Sequence, residues 1–220
     1  MPYGRLSLPD NKIGATISMA TEQHLRQAHY LLAATFPDEG PANHFGTSAA
    51  LMTLLTIAAA SAIRHFDPKR NKNTKRDRAA FTECVLEFFP WDVVTIRDDQ
   101  HRPSCERRTA VASELYDVFR NPLVHSGGVT SKLHKTGVVG DWYRAPKIVH
   151  AFPGLASPQE NEMTVAEYCA VTPSGDILIE LEAFSAKVHT RPLYWCTRKM
   201  IESFAADEKV QIDIARNLEI

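Results

Sequence analysis

Residues 120–125 (RNPLVH) place an arginine and a histidine close together in the chain. The guanidinium of Arg120 is permanently charged, and its forked donors match the oxygens of a phosphate group. The imidazole of His125 has an ordinary pKa of about 6.5, so it can take up and release a proton at neutral pH. Together the two side chains could stabilise charge on a phosphoryl group and move a proton during its reaction.

Pro122 determines how this run must be positioned. Proline lacks an N–H and its ring clashes with the preceding turn, so an uninterrupted helix cannot pass through it. Asn121 is a good N-cap for a helix that restarts with proline at its first position. We therefore predict a break at which Arg120 and His125 converge on one cleft. The positive N-terminus of the new helix would favour an anion such as phosphate there.

The spacing by itself carries little weight, since an arginine followed five positions later by a histidine is expected by chance in a chain of this composition. A near-copy, Arg144 to His150, falls in a predicted strand region and is interpreted as accidental. The alternative is a surface arginine and a histidine packed at a helix break. The surrounding sequence favours a functional role: an amphipathic helix precedes the run, and Gly127-Gly128 follows it.

That context resembles the HEPN family (higher eukaryotes and prokaryotes nucleotide-binding domains), whose signature is Arg, four to six residues, then His. Asn121 matches the polar residue that often follows the arginine. The resemblance covers about residues 20–128 and the last helix, but not residues 129–190. It implies a homodimer in which two motifs form one composite cleft. Many members are metal-independent endoribonucleases, some of them toxins neutralised by an antitoxin protein. Others have lost catalysis and bind a nucleotide, RNA or a partner protein.

In the nuclease interpretation, His125 deprotonates the ribose 2′-OH and Arg120 stabilises the charge on the phosphoryl oxygens. Asn121 orients the phosphate or the histidine, or only caps the helix. This route predicts a 2′,3′-cyclic phosphate product, no metal and no cofactor. It also predicts that DNA, which lacks the 2′-OH, is not cut.

Basic side chains before and within the third predicted helix are candidate contacts to the RNA backbone, because each phosphate that is neutralised adds affinity. They are Lys69, Arg70, Lys72, Lys75, Arg76 and Arg78. A solvated loop is the alternative for this stretch. Tyr116, four residues before Arg120, could stack on a base or simply pack within the helix core.

A third function class is a helical interaction domain in which the motif is accidental. It predicts that Arg120 and His125 point apart, or that one of them is buried against the core. A strongly basic or acidic protein is excluded, since the formal net charge is -1. No metal-ligand spacing, phosphate-binding glycine loop, dinucleotide fingerprint or GxSxG elbow occurs. The four cysteines are expected to be reduced thiols.

No apolar stretch is long enough to span a membrane, and the N-terminus lacks the apolar core of a secretion signal, so we expect a cytoplasmic protein without membrane contact. The sequence predicts one mainly α domain over residues 1–220, a HEPN-like bundle of four to five helices. Residues 1–20 are predicted as an irregular arm. Helices follow at about 21–36, 45–66, 76–89 and from 104, with a polar link at 97–103.

After residue 128 the apolar pattern changes from helical spacing to alternation, and it predicts short strands at 138–149, 166–171 and 177–181. Residues 173–176 (PSGD) are the predicted turn of a hairpin. Residues 129–190 would form a small antiparallel β insertion, and residues 191–206 the closing helix.

Overall fold

A computed structural model describes residues 6–33, 54–56, 58, 74–120, 132–134, 142–149, 167 and 176–218 of the chain. The described part is mainly helical, as predicted, and also contains a five-stranded sheet. The helices are α1 (Lys12–Ala33), α2 (Thr74–Phe88), α3 (Ser104–Glu114), which runs into a π-helical turn (Leu115–Arg120), α4 (Thr190–Ala206) and α5 (Glu208–Leu218). The strands are β1 (Val94–Asp98), β2 (Lys132–His134), β3 (Trp142–Val149), β4 (Asp176–Leu181) and β5 (Ser185–His189).

Helix α1 begins nine residues earlier than predicted, so the irregular arm cannot extend to residue 20. Its N-cap is Asn11, whose Oδ1 accepts a hydrogen bond from the backbone N–H of Gly14 at 2.8 Å. That bond satisfies one of the four donors that a helix start leaves without an intrahelical partner. Thr21, where the helix was predicted to begin, is instead buried inside the helix and donates to the carbonyl of Ile17 at 2.8 Å.

Two further helices agree with the apolar periodicity. Residues 54–56 and 58, the described part of the predicted helix 45–66, are helical, and Leu55, Thr56 and Ala58 are buried. Helix α2 confirms the third predicted helix to within two residues at its start, and it buries Phe81 and Val85.

Strand β1 was not predicted, and residues 97 and 98 belong to it rather than to a polar link. The strand is short and only partly buried along most of its length, so its hydrophobic alternation is weak. It pairs in parallel with β4, with Val94 opposite Asp176. A strand from before α3 therefore joins the region that was predicted as a separate insertion.

The sheet is mixed, which corrects the prediction of an antiparallel insertion. Its strand order is β1-β4-β5-β3-β2. The β1–β4 and β3–β5 pairs are parallel, while β4–β5 and β2–β3 are antiparallel. Strands β4 and β5 form a hairpin, and of the predicted strand 166–171 only residue 167 is described. Glu167 is helical, in line with the helix preference of the Ala166-Glu167 pair. The predicted turn at 173–175 lies outside the described residues.

Helix α4 is the centre of the described core and confirms the closing helix. Its buried residues include Leu193, Cys196, Met200, Ile201 and Phe204. The helix contacts α1, α2, α5, β4 and β5. The buried face of the sheet, with Ile179, Leu181, Ala186 and Val188, belongs to the same hydrophobic cluster as the helices. Helix α5 follows and was not predicted.

Among the described helices, none is both long and apolar enough to cross a membrane. The division of the chain into one domain over residues 1–220 stays a prediction.

Candidate functional site

The segment that leads to the Arg/His motif changes its helical geometry just before the motif. The structure confirms the predicted start at Ser104, and α3 is regular as far as Glu114. From Leu115 to Arg120 the chain forms a wider π-helical turn. Such turns are uncommon and occur frequently at functional sites. Because proline disfavours helical geometry at the residue before it, a disturbance next to Asn121-Pro122 has a direct local cause.

Arg120, the last residue of this turn, is held by an aromatic side chain one turn earlier. Its Nη1 donates a hydrogen bond to the hydroxyl of Tyr116 at 3.2 Å, and its Cζ lies 5.0 Å from the centre of the Tyr116 ring. Only 4% of Arg120 is exposed. The guanidinium is therefore fixed by a hydrogen bond together with a cation–π contact in a nearly closed environment.

Tyr116 is part of the packed core rather than an open platform. It is 7% exposed, and the centre of its ring lies 5.4 Å from that of Phe81 on α2. A base that stacked on this ring would have to displace Phe81 or Arg120. The arrangement corresponds to the packing alternative for Tyr116, and the base-stacking prediction has no support from it.

Of the basic candidate RNA contacts, Arg78 is the one whose side chain is described, and it is 48% exposed. Its Nε and Nη2 donate to the two carboxylate oxygens of Asp117 at 2.9 Å and 2.7 Å. The hydrogen bonds of this forked contact, and then the charge of Asp117, raise the pKa of Arg78.

The other basic candidates are not brought to this place by any described contact. Lys75 and Arg76 lie in the first turn of α2, so residues 74–78 of the stretch that was considered as a loop are helical. Lys69, Arg70 and Lys72 lie outside the described residues.

Asn121 and His125 also lie outside the described residues. The distance between Arg120 and His125, and the cleft that they would form, therefore remain predictions. Of the three candidate catalytic residues, the structure describes Arg120.

A second buried tyrosine–arginine pair, which sequence reasoning missed, lies on α4. Arg198 is 1% exposed, its Nη1 donates to the Tyr194 hydroxyl at 3.1 Å, and its Cζ lies 5.6 Å from the Tyr194 ring. The spacing of four residues repeats that of Tyr116 and Arg120. That repeated Tyr-x3-Arg spacing was the available signal.

His29 of α1 completes this second cluster. Its Nδ1 and the Tyr194 hydroxyl are 3.2 Å apart. Burial, and then the charge of Arg198, lower the pKa of His29 to about 4, so the ring is neutral at pH 7. Burial raises the pKa of Tyr194. Both groups are therefore uncharged beside a buried cation, and the cluster joins α1 to α4.

No group of three or more metal-ligating side chains occurs in the parts of the chain that the structure describes. Comparison of the chain with known protein families, with curated proteins and with solved structures finds no match.

Proposed function

We propose that this protein is a HEPN-like, metal-independent endoribonuclease. The observation that carries the proposal is the π-helical turn that ends at Arg120, with the guanidinium fixed on Tyr116 directly before Asn121-Pro122. A guanidinium whose orientation is set in advance loses little freedom when it meets a phosphate, which is what electrostatic catalysis requires. The described fold is mainly helical around this turn, in keeping with the resemblance.

In the proposed reaction, His125 removes the proton of a ribose 2′-OH, and the 2′-oxygen forms a bond to the adjacent phosphorus. The bond from phosphorus to the 5′-oxygen breaks, and that oxygen takes up a proton as it leaves. Arg120 stabilises the negative charge on the phosphoryl oxygens, and Asn121 orients the phosphate or the imidazole. The products are a 2′,3′-cyclic phosphate and a 5′-hydroxyl.

The partners belong to the same proposal. They are RNA, held by the basic side chains around the start of α2, a second copy of the chain that completes the cleft, and an antitoxin or other neutralising protein. The proposed place of action of the nuclease is the cytoplasm.

The burial of Arg120 favours a second candidate function. With only 4% of its surface exposed, Arg120 can meet a phosphate only after a local opening. A catalytically silent HEPN module that binds a partner protein away from Arg120 needs no such opening. A buried motif arginine is also what an interaction domain with an accidental motif predicts.

RNA cleavage in EDTA separates these functions. Wild type is compared with Arg120→Gln and His125→Ala, and the 3′ ends are analysed for cyclic phosphate. Two surface changes serve as matched controls. Arg216→Ala removes an arginine that is 72% exposed on α5. His101→Asn removes an exposed histidine at a φ of 50°, which asparagine tolerates.

We expect cyclic-phosphate product from wild type and both controls, and a loss of at least about 100-fold in the two motif variants. Each variant must keep the thermal midpoint of the wild type or be compared at a temperature where it is folded. Equal cleavage by all five proteins would identify a contaminant. RNA binding without cleavage by wild type would establish the silent module instead.

A further inference from the structure

Helix α2 contacts the π-helical turn at two adjacent positions. Arg78 forms the forked ion pair with Asp117, and Phe81, on the same face of α2, packs against Tyr116. Asp117 and Tyr116 are neighbours in the turn. The N-terminal half of α2 therefore contacts the turn through an ion pair and an aromatic contact side by side.

Arg120 is connected to α2 through Tyr116. Arg120 is in contact with the hydroxyl and the ring of Tyr116, and Tyr116 is covered by Phe81. If Asp117 is released, the turn loses one of its described contacts with α2. A π-helical turn is an uncommon geometry. Loosening it would shift Tyr116 together with Arg120 and expose the guanidinium.

The ion pair lies where a ligand can compete for it. The Arg78 side chain is 48% exposed and that of Asp117 is 19% exposed. Exposed ion pairs are weak and are screened by salt. A phosphodiester offers a guanidinium the same two-oxygen acceptor that the carboxylate offers. An RNA phosphate is therefore a fitting competitor for Arg78.

We propose that the Arg78–Asp117 ion pair is a latch that keeps Arg120 covered, and that a backbone phosphate of RNA releases the latch by taking Arg78 from Asp117. The inference rests on the proposed function for the identity of the phosphate. Its test requires no cleavage, so it can fail while the nuclease proposal stands, and the reverse.

The latch is tested by the rate at which phenylglyoxal, an arginine-specific reagent, modifies Arg120, measured by mass spectrometry of the peptides. We expect Asp117→Asn to raise this rate about two- to fivefold, the range for loss of a favourable surface ion pair. The exchanged pair, Arg78→Asp with Asp117→Arg, should restore slow labelling. Asp213→Asn is the matched control, since it removes the partner of Arg216 at a distant exposed pair.

Arg198, which is 1% exposed, reports general unfolding in the same experiment. If the labelling rates of both Arg120 and Arg198 rise in Asp117→Asn, the exchanged double variant decides between the two explanations. Slow labelling of Arg120 in that double variant supports the latch, and fast labelling overturns it. Unchanged Arg120 labelling in Asp117→Asn also overturns it.

The phosphate half of the proposal is tested with a single-stranded DNA decamer, which carries phosphates but cannot be cut by 2′-OH attack. Asp117→Asn should bind this probe about threefold more tightly than wild type, because Arg78 is freed and one negative charge is lost. Arg78→Gln should bind it more weakly. Equal affinity of all three proteins would exclude Arg78 as a phosphate contact.

Discussion

Two arginines of this chain, Arg120 and Arg198, are almost fully buried, which is rare unless the charge is paired or hydrogen-bonded. Each is held by a tyrosine four residues earlier through the same hydrogen bond and cation–π contact. Their similarity shows that burial on a tyrosine is a structural solution used twice in this fold. At Arg120 it coincides with the motif, and at Arg198 it joins α1 to α4.

The neutral state of His29 makes the stability of the protein depend on pH. Its pKa is about 4 in the folded protein against about 6.5 in the unfolded chain, mainly because of burial. The unfolded state therefore binds the proton first as the pH falls. The free energy of unfolding should fall between pH 6.5 and pH 4 and then level off, by at most about 3 kcal/mol from this residue.

Urea unfolding of wild type and His29→Gln over this pH range checks the prediction. The wild type should lose more stability than the variant toward pH 4, while His101→Asn should follow the wild type. Parallel curves for wild type and His29→Gln would show that His29 is not the titrating group.

At the level of single residues, the sequence predicted Arg120 as central but not its environment. Leu115 and Phe119, which lie four residues apart, are both buried. The sequence could not show that a cation would join them, because the contact depends on the π-helical turn that brings Arg120 onto the Tyr116 ring.

Among the elements, the start of α1 shows how a local hydrogen bond sets a boundary. Asn11→Ala removes the acceptor for the Gly14 N–H and should lower the free energy of unfolding by about 1 kcal/mol. Thermal and urea unfolding measure the change. Gln23→Ala, an exposed change in the middle of the same helix, is the control and should be close to neutral or slightly stabilising. No difference between the two variants would mean that Asn11 does not cap α1.

Helices α2, α3 and α4 could be predicted from the spacing of their apolar residues. Strands β1, β2 and β5 were not predicted, because each is short, and β1 becomes a strand through a pairing partner distant in sequence. Helix α5 carried a usable signal, since Val210 and Ile214 are four residues apart and pack on the core.

At the scale of the whole molecule, the sheet belongs to the same hydrophobic core as the helices. Ile179 is fully buried in β4, within the cluster that includes α4. Ile179→Ala should lower the free energy of unfolding by about 2–5 kcal/mol, and helical circular dichroism and tryptophan fluorescence should shift together. Ile212→Ala, at a site that is 58% exposed, should change it by less than about 0.5 kcal/mol. A helical transition that keeps its wild-type midpoint in Ile179→Ala would show that the sheet unfolds separately.

The parallel pairing of β1 with β4 also has a consequence during synthesis. Val94 leaves the ribosome well before its partner Asp176 is made. At translation rates of about 5–20 residues per second, the nascent chain carries β1 without its neighbour for on the order of ten seconds. During that interval its unpaired backbone is open to other chains. Production of this protein should therefore depend on chaperones more strongly than its small size suggests.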